Sequence, residues 1–155
     1  MDNEYFKIID LEKYETKDIH DQHVNGSLTV VWRDWDNIIT DEFKTVYVTS
    51  ANPGEIKGPH LHTKRISYFV CIHGEIVFVI QKKPGEYEEI RVNADKPVLI
   101  VIPKNIPTAH INVNNGISRI LALADISWKP NDDEMKNVSF NDYDWNKWKK
   151  TKLSN

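Results

Sequence analysis

The chain is poor in three features that would restrict its class: cysteine, long apolar runs and charge of one sign. It has 155 residues and one cysteine, Cys71, so no disulfide can form within it, and a lone thiol fits a reducing cytoplasm. No stretch approaches the roughly 20 apolar residues that span a bilayer, and the mean hydropathy is −0.53. A membrane protein and a disulfide-stapled secreted protein are therefore both disfavoured.

The charges are balanced and mixed along the chain. Twenty basic and 23 acidic residues give a net charge of −3, and only the tail at 147–152 is locally basic, too short for a nucleic-acid footprint. The first residues, Met1–Glu4, have neither the basic nor the apolar part of a signal peptide. We therefore expect a cytoplasmic protein without nucleic-acid or membrane partners.

Short segments rich in Val, Ile, Tyr and Phe, separated by turns, predict an all-β fold. Turn signals occur at Gly74-Glu75, 83–86 and 114–116, and helical periodicity is lacking between them. We predict one domain over residues 1–155, with a core at about 28–126 and an extension at 130–155, where Asn131–Glu134 begins a short helical segment. The predicted strands are Tyr5–Ile9, Leu28–Arg33, Phe43–Thr49, Ile66–Ile72, Ile76–Gln81, Tyr87–Val92, Val98–Ile102, Ala109–Val113 and Ser118–Ala124.

Two histidines separated by one residue are the strongest sign of chemistry. His60 and His62 point to the same face if their segment is extended, because strand side chains alternate. Imidazole titrates near neutrality, so the pair can form a base, a proton shuttle or part of a metal site. Two hydrogen-bonded residues at a strand end are the simpler interpretation, but the neighbouring Gly58-Pro59 and Gly74-Glu75 favour a functional one.

This pattern resembles the cupin jelly roll. The paired histidines, Gly74 and the segment Ile102–Asn105 leading to His110 occur in the order of the two cupin motifs. Ser67 stands where the first motif has a glutamate. The resemblance implies a jelly-roll β-barrel with the histidines facing its interior.

Within the cupins the chain resembles two enzyme families that act on nucleotide-linked 4-keto-6-deoxy sugars, over about Val46 to Trp145. One is the dTDP-4-dehydrorhamnose 3,5-epimerases, whose motifs are followed in order by Lys57–His60, Cys71–Glu75, Ile102-Pro103 and Phe140–Asp142. The other is the dTDP-4-keto-6-deoxyhexose 3,4-ketoisomerases. Their histidine motif resembles Lys57–Lys64 more closely, and their upstream strand has a counterpart in Val46–Val48. The order shared by these short motifs carries more weight than any one of them.

The resemblance implies proton transfer through an enolate, with either epimerisation at C3, at C5 or at both, or 3,4-keto-isomerisation. Such chemistry needs a base, help for the developing oxyanion and an acid. His60 is expected to be the base, with Asp142 fixing its tautomer, and His62 to be a second shuttle. Tyr47 or Tyr68 is expected to act as the acid or to polarise the ketone. The sequence does not choose between them, because a register error of one residue reverses which tyrosine faces inward.

Other residues are candidates for binding a dTDP-linked sugar. Lys57 matches the family's diphosphate-binding arginine, although a solvated loop lysine is nearly as good an interpretation. Arg65 and Arg119 can hold anionic groups or form surface ion pairs. Trp32 can stack on a nucleobase or pack in a core or subunit interface, and His110 is expected at the cavity wall.

The chain departs from the 3,5-epimerases at two positions. Their lysine and proton-donating tyrosine fall at Ser67 and Ala122, which leaves a one-centre epimerase, a ketoisomerase or a silent sugar-nucleotide-binding protein. A metal-dependent cupin, dioxygenase-like and using His60, His62 and His110, is the rival interpretation. The sugar-nucleotide families imply no cofactor. We also expect a homodimer formed through the N-terminal strands.

Overall fold

The computed structural model describes residues 2–37, 39 and 42–149, and these residues form a jelly roll of short strands. The predicted all-β fold is confirmed. Among the described residues, no helix has the length and apolarity to cross a bilayer. The elements are β1 (Lys7–Asp10), β2 (Lys13–Lys17), β3 (Val24–Thr29), β4 (Thr45–Ala51), β5 (Ile56–His62), β6 (Ser67–His73), β7 (Glu75–Lys83), β8 (Glu86–Asn93), β9 (Val98–Ile102), β10 (Thr108–Asn112), β11 (Ser118–Ala124), β12 (Met135–Asn137) and a 3₁₀ helix (Trp145–Trp148).

Two five-stranded sheets make up the barrel. The first has the strand order β1-β9-β6-β11-β4 and the second β12-β5-β10-β7-β8, while β2 and β3 form a separate hairpin. From β4 to β7 successive strands alternate between the sheets, and β9, β10 and β11 do so again. All pairings within the sheets are antiparallel. This alternation places the inward residues of both sheets around one interior.

Apolar residues fill three layers. The layer between the sheets contains Phe78, Ile100 and Ile120. The outer face of the first sheet is covered in part by Val31, Ile39 and Phe43, and the outer face of the second by the C-terminal residues Phe140, Tyr143, Trp145 and Trp148. β7 is consequently buried on both faces from Ile76 to Ile80, which explains its unbroken apolar sequence.

The secondary structure departs from prediction at both ends of the chain. The strand predicted at Leu28–Arg33 lies earlier, at Val24–Thr29, where it pairs with β2, which was not predicted. The start predicted for the C-terminal helical segment, at Asn131–Glu134, is wrong: Asn131 and Asp133 have φ values of 60° and 53°, and the chain continues into β12. The short helical segment occurs later, at Trp145–Trp148. Pairing with the open edge of β5 outweighs the local helix-start signal there.

Gly58 allows β5 to approach β10 closely beside the paired histidines. Its φ is +88°, and a Cβ at this position would lie 3.0 Å from the carbonyl oxygen of Thr108. The register between β5 and β10 shifts between Thr108 and His110. Glycine is therefore required where the strand turns toward the cavity.

Candidate active site

A cavity of about 650 Å³ opens between the two sheets. Strands β4, β5, β6 and β10 form its walls, and residues 126–135 border it on a further side. A cavity of this size is typical of a site that encloses a small organic ligand. His60 and His62 both line it, so the expected shared face of the histidine pair is what the structure shows.

Strand β12 brings a hydrogen-bond partner to His60. Antiparallel pairing sets Asn137 opposite His60, and the Asn137 Oδ1 atom lies 3.1 Å from Nδ1 of the imidazole. Because the amide oxygen accepts, Nδ1 of the neutral ring carries the proton and Nε2 keeps its lone pair. Burial lowers the pKa of His60; the Asn137 contact opposes this shift, and the cations of Arg65 and Lys57 add to it. His60 is therefore a neutral base at pH 7.

His62 lies between a carboxylate and a guanidinium. Its Nδ1 is 2.8 Å from Oε2 of Glu134, and its Nε2 is 2.8 Å from Nη2 of Arg65. Glu134 is 6% exposed and accepts a further hydrogen bond from the backbone N–H of Arg65. The pKa of His62 is lowered mainly by burial, with Glu134 opposing the shift and Arg65 reinforcing it.

Arg65 connects His62 to Tyr47. The guanidinium donates from Nε to Ser67 Oγ at 3.0 Å and from Nη2 to Tyr47 Oη at 3.1 Å. The Tyr47 hydroxyl therefore accepts from Arg65 and can donate its own proton to a ligand in the cavity. Of the two candidate tyrosines, Tyr47 lines the cavity.

Tyr68 faces the opposite side of the first sheet. It is 4% exposed and packs in the outer apolar layer, with its ring centroid 5.3 Å from that of Phe43. Its neighbours on β6, Ser67 and Phe69, line the cavity instead, as strand alternation requires. The structure therefore does not bring Tyr68 to the histidines.

Lys57 and His110 complete the polar lining. The Lys57 ammonium donates to Thr49 Oγ1 and to the Ser50 carbonyl oxygen, at 3.2 Å for the latter. Burial, with smaller effects of Lys57 and His60, lowers the pKa of His110 to about 3. Its imidazole is therefore neutral and lies beside the Phe78 ring, 5.5 Å between centroids.

Three other predicted site residues lie away from the cavity. Asp142 does not reach His60: its carboxylate accepts a hydrogen bond from Tyr87, because the preceding Phe140 is buried on the outer face of the second sheet. Arg119 is exposed on β11, and the Trp32 ring packs against Phe43, 5.5 Å between centroids. None of the three is part of the cavity lining.

The carboxylate that reaches His62 is that of Glu134, which sequence reasoning missed. Its acidic neighbours, Asp132 and Asp133, made the segment look like a solvated helix start. Only the pairing of β12 with β5 places Glu134 beside His62, 72 residues away in sequence. No local pattern carries that information.

The cavity histidines do not form a three-nitrogen metal site. Both ring nitrogens of His62 are engaged, one by Glu134 and the other by the Arg65 guanidinium. Over the described residues, the one group of three metal-ligating side chains within mutual reach is Asp18, Asp21 and His23. That group lies in the turn between β2 and β3, and two of its members are exposed.

The chain matches a known protein family over most of its length. Residues 5–144 match the family described as "FdtA: WxcM-like, C-terminal". The spore coat polysaccharide biosynthesis protein SpsL of Bacillus subtilis is 24% identical over 131 residues, which cover 78% of this chain and 86% of the relative.

Solved structures share the fold at low sequence identity. A dTDP sugar isomerase from Desulfovibrio desulfuricans superposes with a TM-score of 0.76 at 16% identity, covering 92% of this chain and 91% of that chain. QdtA, a sugar 3,4-ketoisomerase from Thermoanaerobacterium thermosaccharolyticum solved with TDP, has a TM-score of 0.69 at 20% identity over 86% and 88% of the two chains.

A third similar structure is much longer than this chain. The capsular polysaccharide assembling protein CapF of Staphylococcus aureus has a TM-score of 0.59 at 22% identity, covering 64% of this chain. The chain spans 29% of the length of CapF. The likeness therefore concerns one part of that protein and its fold.

Proposed function

We propose that this chain, which belongs to the FdtA: WxcM-like, C-terminal family, is an isomerase of a nucleotide-diphosphate-linked 4-keto-6-deoxyhexose. The reaction moves the ketone from C4 to C3 by proton transfer through an enediolate. The named activity of QdtA, whose fold this chain shares, supports the reaction type. The named role of SpsL in polysaccharide biosynthesis supports a pathway to surface sugars.

The observation that carries the proposal is the state of His60. It is neutral, its Nδ1 is held by Asn137, and among the described residues no side chain or backbone group occupies its Nε2. A lone pair presented to an apolar-walled cavity beside two cations is suited to removing a proton next to a ketone. His60 is the base in the proposed reaction.

The reaction needs one base that works on one face of the sugar. His60 takes the proton from C3, the bonding pair forms the C3–C4 double bond, and the carbonyl pair moves to O4. A proton passes from O3 to O4, the C3 ketone forms, and His60 returns its proton to C4. Tyr47, whose hydroxyl proton is available, is suited to relay the proton between the two oxygens.

Complete 3,5-epimerisation requires an acid on the opposite face at each centre, and this site is less suited to it. His62 has both nitrogens engaged, and Asp142 lies outside the cavity. The single-base isomerisation uses only groups that line the cavity. We therefore favour keto-isomerisation over epimerisation.

Lys57 is proposed to bind the diphosphate. Its ammonium is held at the cavity wall by two neutral oxygens, so its charge remains available to an anion. We also expect a homodimer, since the β2–β3 hairpin exposes the apolar side chains of Tyr14, Val24 and Leu28. Sedimentation equilibrium of the purified chain tests that expectation.

The deciding experiment is incubation of the purified protein with dTDP-4-keto-6-deoxyglucose in D2O, followed by NMR. Keto-isomerisation yields a C3 ketone and a new proton or deuteron on C4. One-centre epimerisation keeps the C4 ketone and places deuterium at C3 or C5. Binding of the substrate without a product or deuterium at any carbon would contradict the proposal.

A further inference from the structure

The guanidinium of Arg65 is a buried cation that has no carboxylate partner among the described residues. Arg65 is 8% exposed, and its guanidinium makes three hydrogen bonds, to Ser67, Tyr47 and His62. None of these three side chains carries a negative charge. Buried charges in proteins are ordinarily paired. Within the described part of the chain, Arg65 makes no ion pair with an acidic side chain.

One end of the guanidinium remains available to a ligand. Nε and Nη2 make the three hydrogen bonds, and Nη1 makes none with the residues that the structure describes. In that same part of the chain, every side-chain nitrogen or oxygen that is shut off from solvent has a partner. Nη1 is therefore accessible, and Arg65 lines the cavity.

The contact with Arg65 determines the protonation of His62. A guanidinium can only donate, so Nε2 of His62 must accept and cannot carry a proton. The proton of the neutral ring is then on Nδ1, where it is donated to Glu134 at 2.8 Å. A ring held in this state cannot accept a proton at either nitrogen without losing the Arg65 contact.

Glu134 holds the ring in that orientation. Its carboxylate also accepts from the backbone N–H groups of Lys64 at 3.4 Å and Arg65 at 3.2 Å. The carboxylate is therefore held in place by His62 and by two backbone N–H groups. A series of hydrogen bonds therefore runs from Glu134 through His62 to Arg65 and ends at the cavity.

We propose that Arg65 is the catalytic residue that stabilises the oxyanion, and that His62 and Glu134 are positioning residues for it. The inference rests on the proposed function. When the bonding pair leaves the C3–H bond and the carbonyl pair moves to O4, the guanidinium donates a hydrogen bond to O4. No proton leaves Arg65, and His62 takes part in no proton transfer.

Replacing Arg65 separates this role from diphosphate binding. Removal of one such donor lowers turnover by about 100-fold to 1000-fold in other enzymes. We expect Arg65→Met to lower product formation by about 100-fold while its Kd for dTDP, measured by titration calorimetry, stays within about twofold. A loss of dTDP affinity equal to the loss of turnover would overturn the proposal and make Arg65 a diphosphate ligand.

Arg65→Lys serves if the methionine variant does not fold. It keeps the charge without the planar fork, and we expect about tenfold slower turnover with unchanged dTDP binding. Turnover equal to that of the unmodified protein would contradict a positioned donor.

His62→Gln tests the positioning role of the imidazole. A glutamine oxygen can accept from Arg65, whereas it cannot shuttle protons at neutral pH. We expect His62→Gln to retain turnover within about tenfold and His62→Ala to lose about 100-fold. If His62→Gln is as inactive as His60→Asn, His62 is a proton shuttle and the proposal is wrong.

A spectroscopic measurement decides the tautomer independently of activity. In ¹⁵N-histidine-labelled protein, long-range ¹H–¹⁵N spectra at pH 7 should show His62 neutral and protonated on Nδ1. An Nε2-protonated or cationic ring would overturn the positioning role. If the unmodified protein forms no product, the proposed function fails and the oxyanion role falls with it, while these spectra still judge the Glu134–His62–Arg65 arrangement.

Discussion

The two ends of the barrel interior both contain buried polar groups, but the two groups differ in how completely they are hydrogen-bonded. At the end away from the histidines, Asn112 is 1% exposed and makes four hydrogen bonds, all between 2.7 and 2.8 Å. It donates to the carbonyl oxygens of Ala51 and Gly116 and accepts from Asn114 and Ser118. At the histidine end, His60 and Arg65 each keep one side-chain nitrogen that has no partner among the residues the structure describes.

The two ends differ in how much of the side chains' hydrogen-bonding capacity is used and in whether charged groups are present. Asn112 has used all the hydrogen-bonding capacity of its amide, and each of its partners is neutral, so this network stabilises the turn between β10 and β11. The histidine end holds two cations and a neutral base whose remaining donors and acceptors face a cavity. We expect the first network to determine stability and the second to determine activity.

The largest expected effect is on the rate at the histidine end. Replacing the His60 ring by an amide, His60→Asn, removes the base and should lower product formation by about 1000-fold. The melting temperature should change little, because the ring is only half-buried. NMR in D2O and thermal unfolding measure the two quantities.

His20→Asn, in an exposed turn, is the matched control and should retain full activity. Product formation by a folded His60→Asn protein would remove His60 from the reaction.

The second effect is on stability at the saturated end. Asn112→Ala leaves two carbonyl oxygens and one N–H group without their partner, whereas the Ser118 hydroxyl keeps the Glu75 carbonyl oxygen. The change should lower the free energy of unfolding by about 3 kcal/mol. Activity per folded molecule should be preserved. Urea unfolding measures the change, with exposed Asn146→Ala expected within about 0.5 kcal/mol of the unmodified protein. Equal losses in the two variants would refute the contrast between the two ends.

The third effect is a pH dependence that belongs to the histidine end. The pKa of His110 is lowered to about 3 in the folded protein. Below about pH 6.5 this imidazole is therefore protonated in the unfolded chain but remains neutral in the folded protein. Stability is therefore complete above about pH 6.5 and falls as the pH decreases, with an upper slope of about 1.4 kcal/mol per pH unit for one group.

Because the ring borders the cavity, we expect a smaller loss attributable to His110, about 1 kcal/mol between pH 7 and pH 5.5. Urea unfolding at both pH values should show a reduced loss in His110→Gln. His60 and His62 have pKa values shifted in the same direction, so part of the dependence should persist. An unchanged pH dependence in His110→Gln would show that folding does not lower the pKa of this ring.

The smallest expected effect concerns ligand affinity. Lys57→Met removes one cation that neutralises part of a diphosphate and should weaken dTDP binding by about fivefold, or about 1 kcal/mol. The effect should shrink at high salt. Titration calorimetry measures it, with exposed Lys83→Met as the control. Unchanged affinity would assign Lys57 to the wall of the cavity alone.

Much of the fold and one half of the site follow from local patterns. Strand alternation places His60 and His62 on one face wherever the segment is extended, and β-branched runs separated by turns predict most of the strands of both sheets. The choice between Tyr47 and Tyr68 depends on the register of two strands, which local sequence does not specify.

The other half of the site depends on a pairing between distant segments. Asp142 was predicted beside His60 from its motif, whereas burial of Phe140 draws Asp142 to the outside of the second sheet. Glu134 and Asn137 reach the histidines because β12 pairs with the edge of β5. Three residues of strand carry too little pattern to predict that pairing.

The amino-acid sequence alone determined that this chain is all-β with two imidazoles on one strand face, because alternation and turn formation are properties of neighbouring residues. The barrel with that face inside was implied by the resemblance to the cupins. Only the tertiary structure decided which side chains complete the site. The contacts of Glu134 with His62 and of Arg65 with Tyr47 depend on the closure of loops and edges far apart in sequence. Those contacts decide which histidine has a free nitrogen, and with it the proposed chemistry.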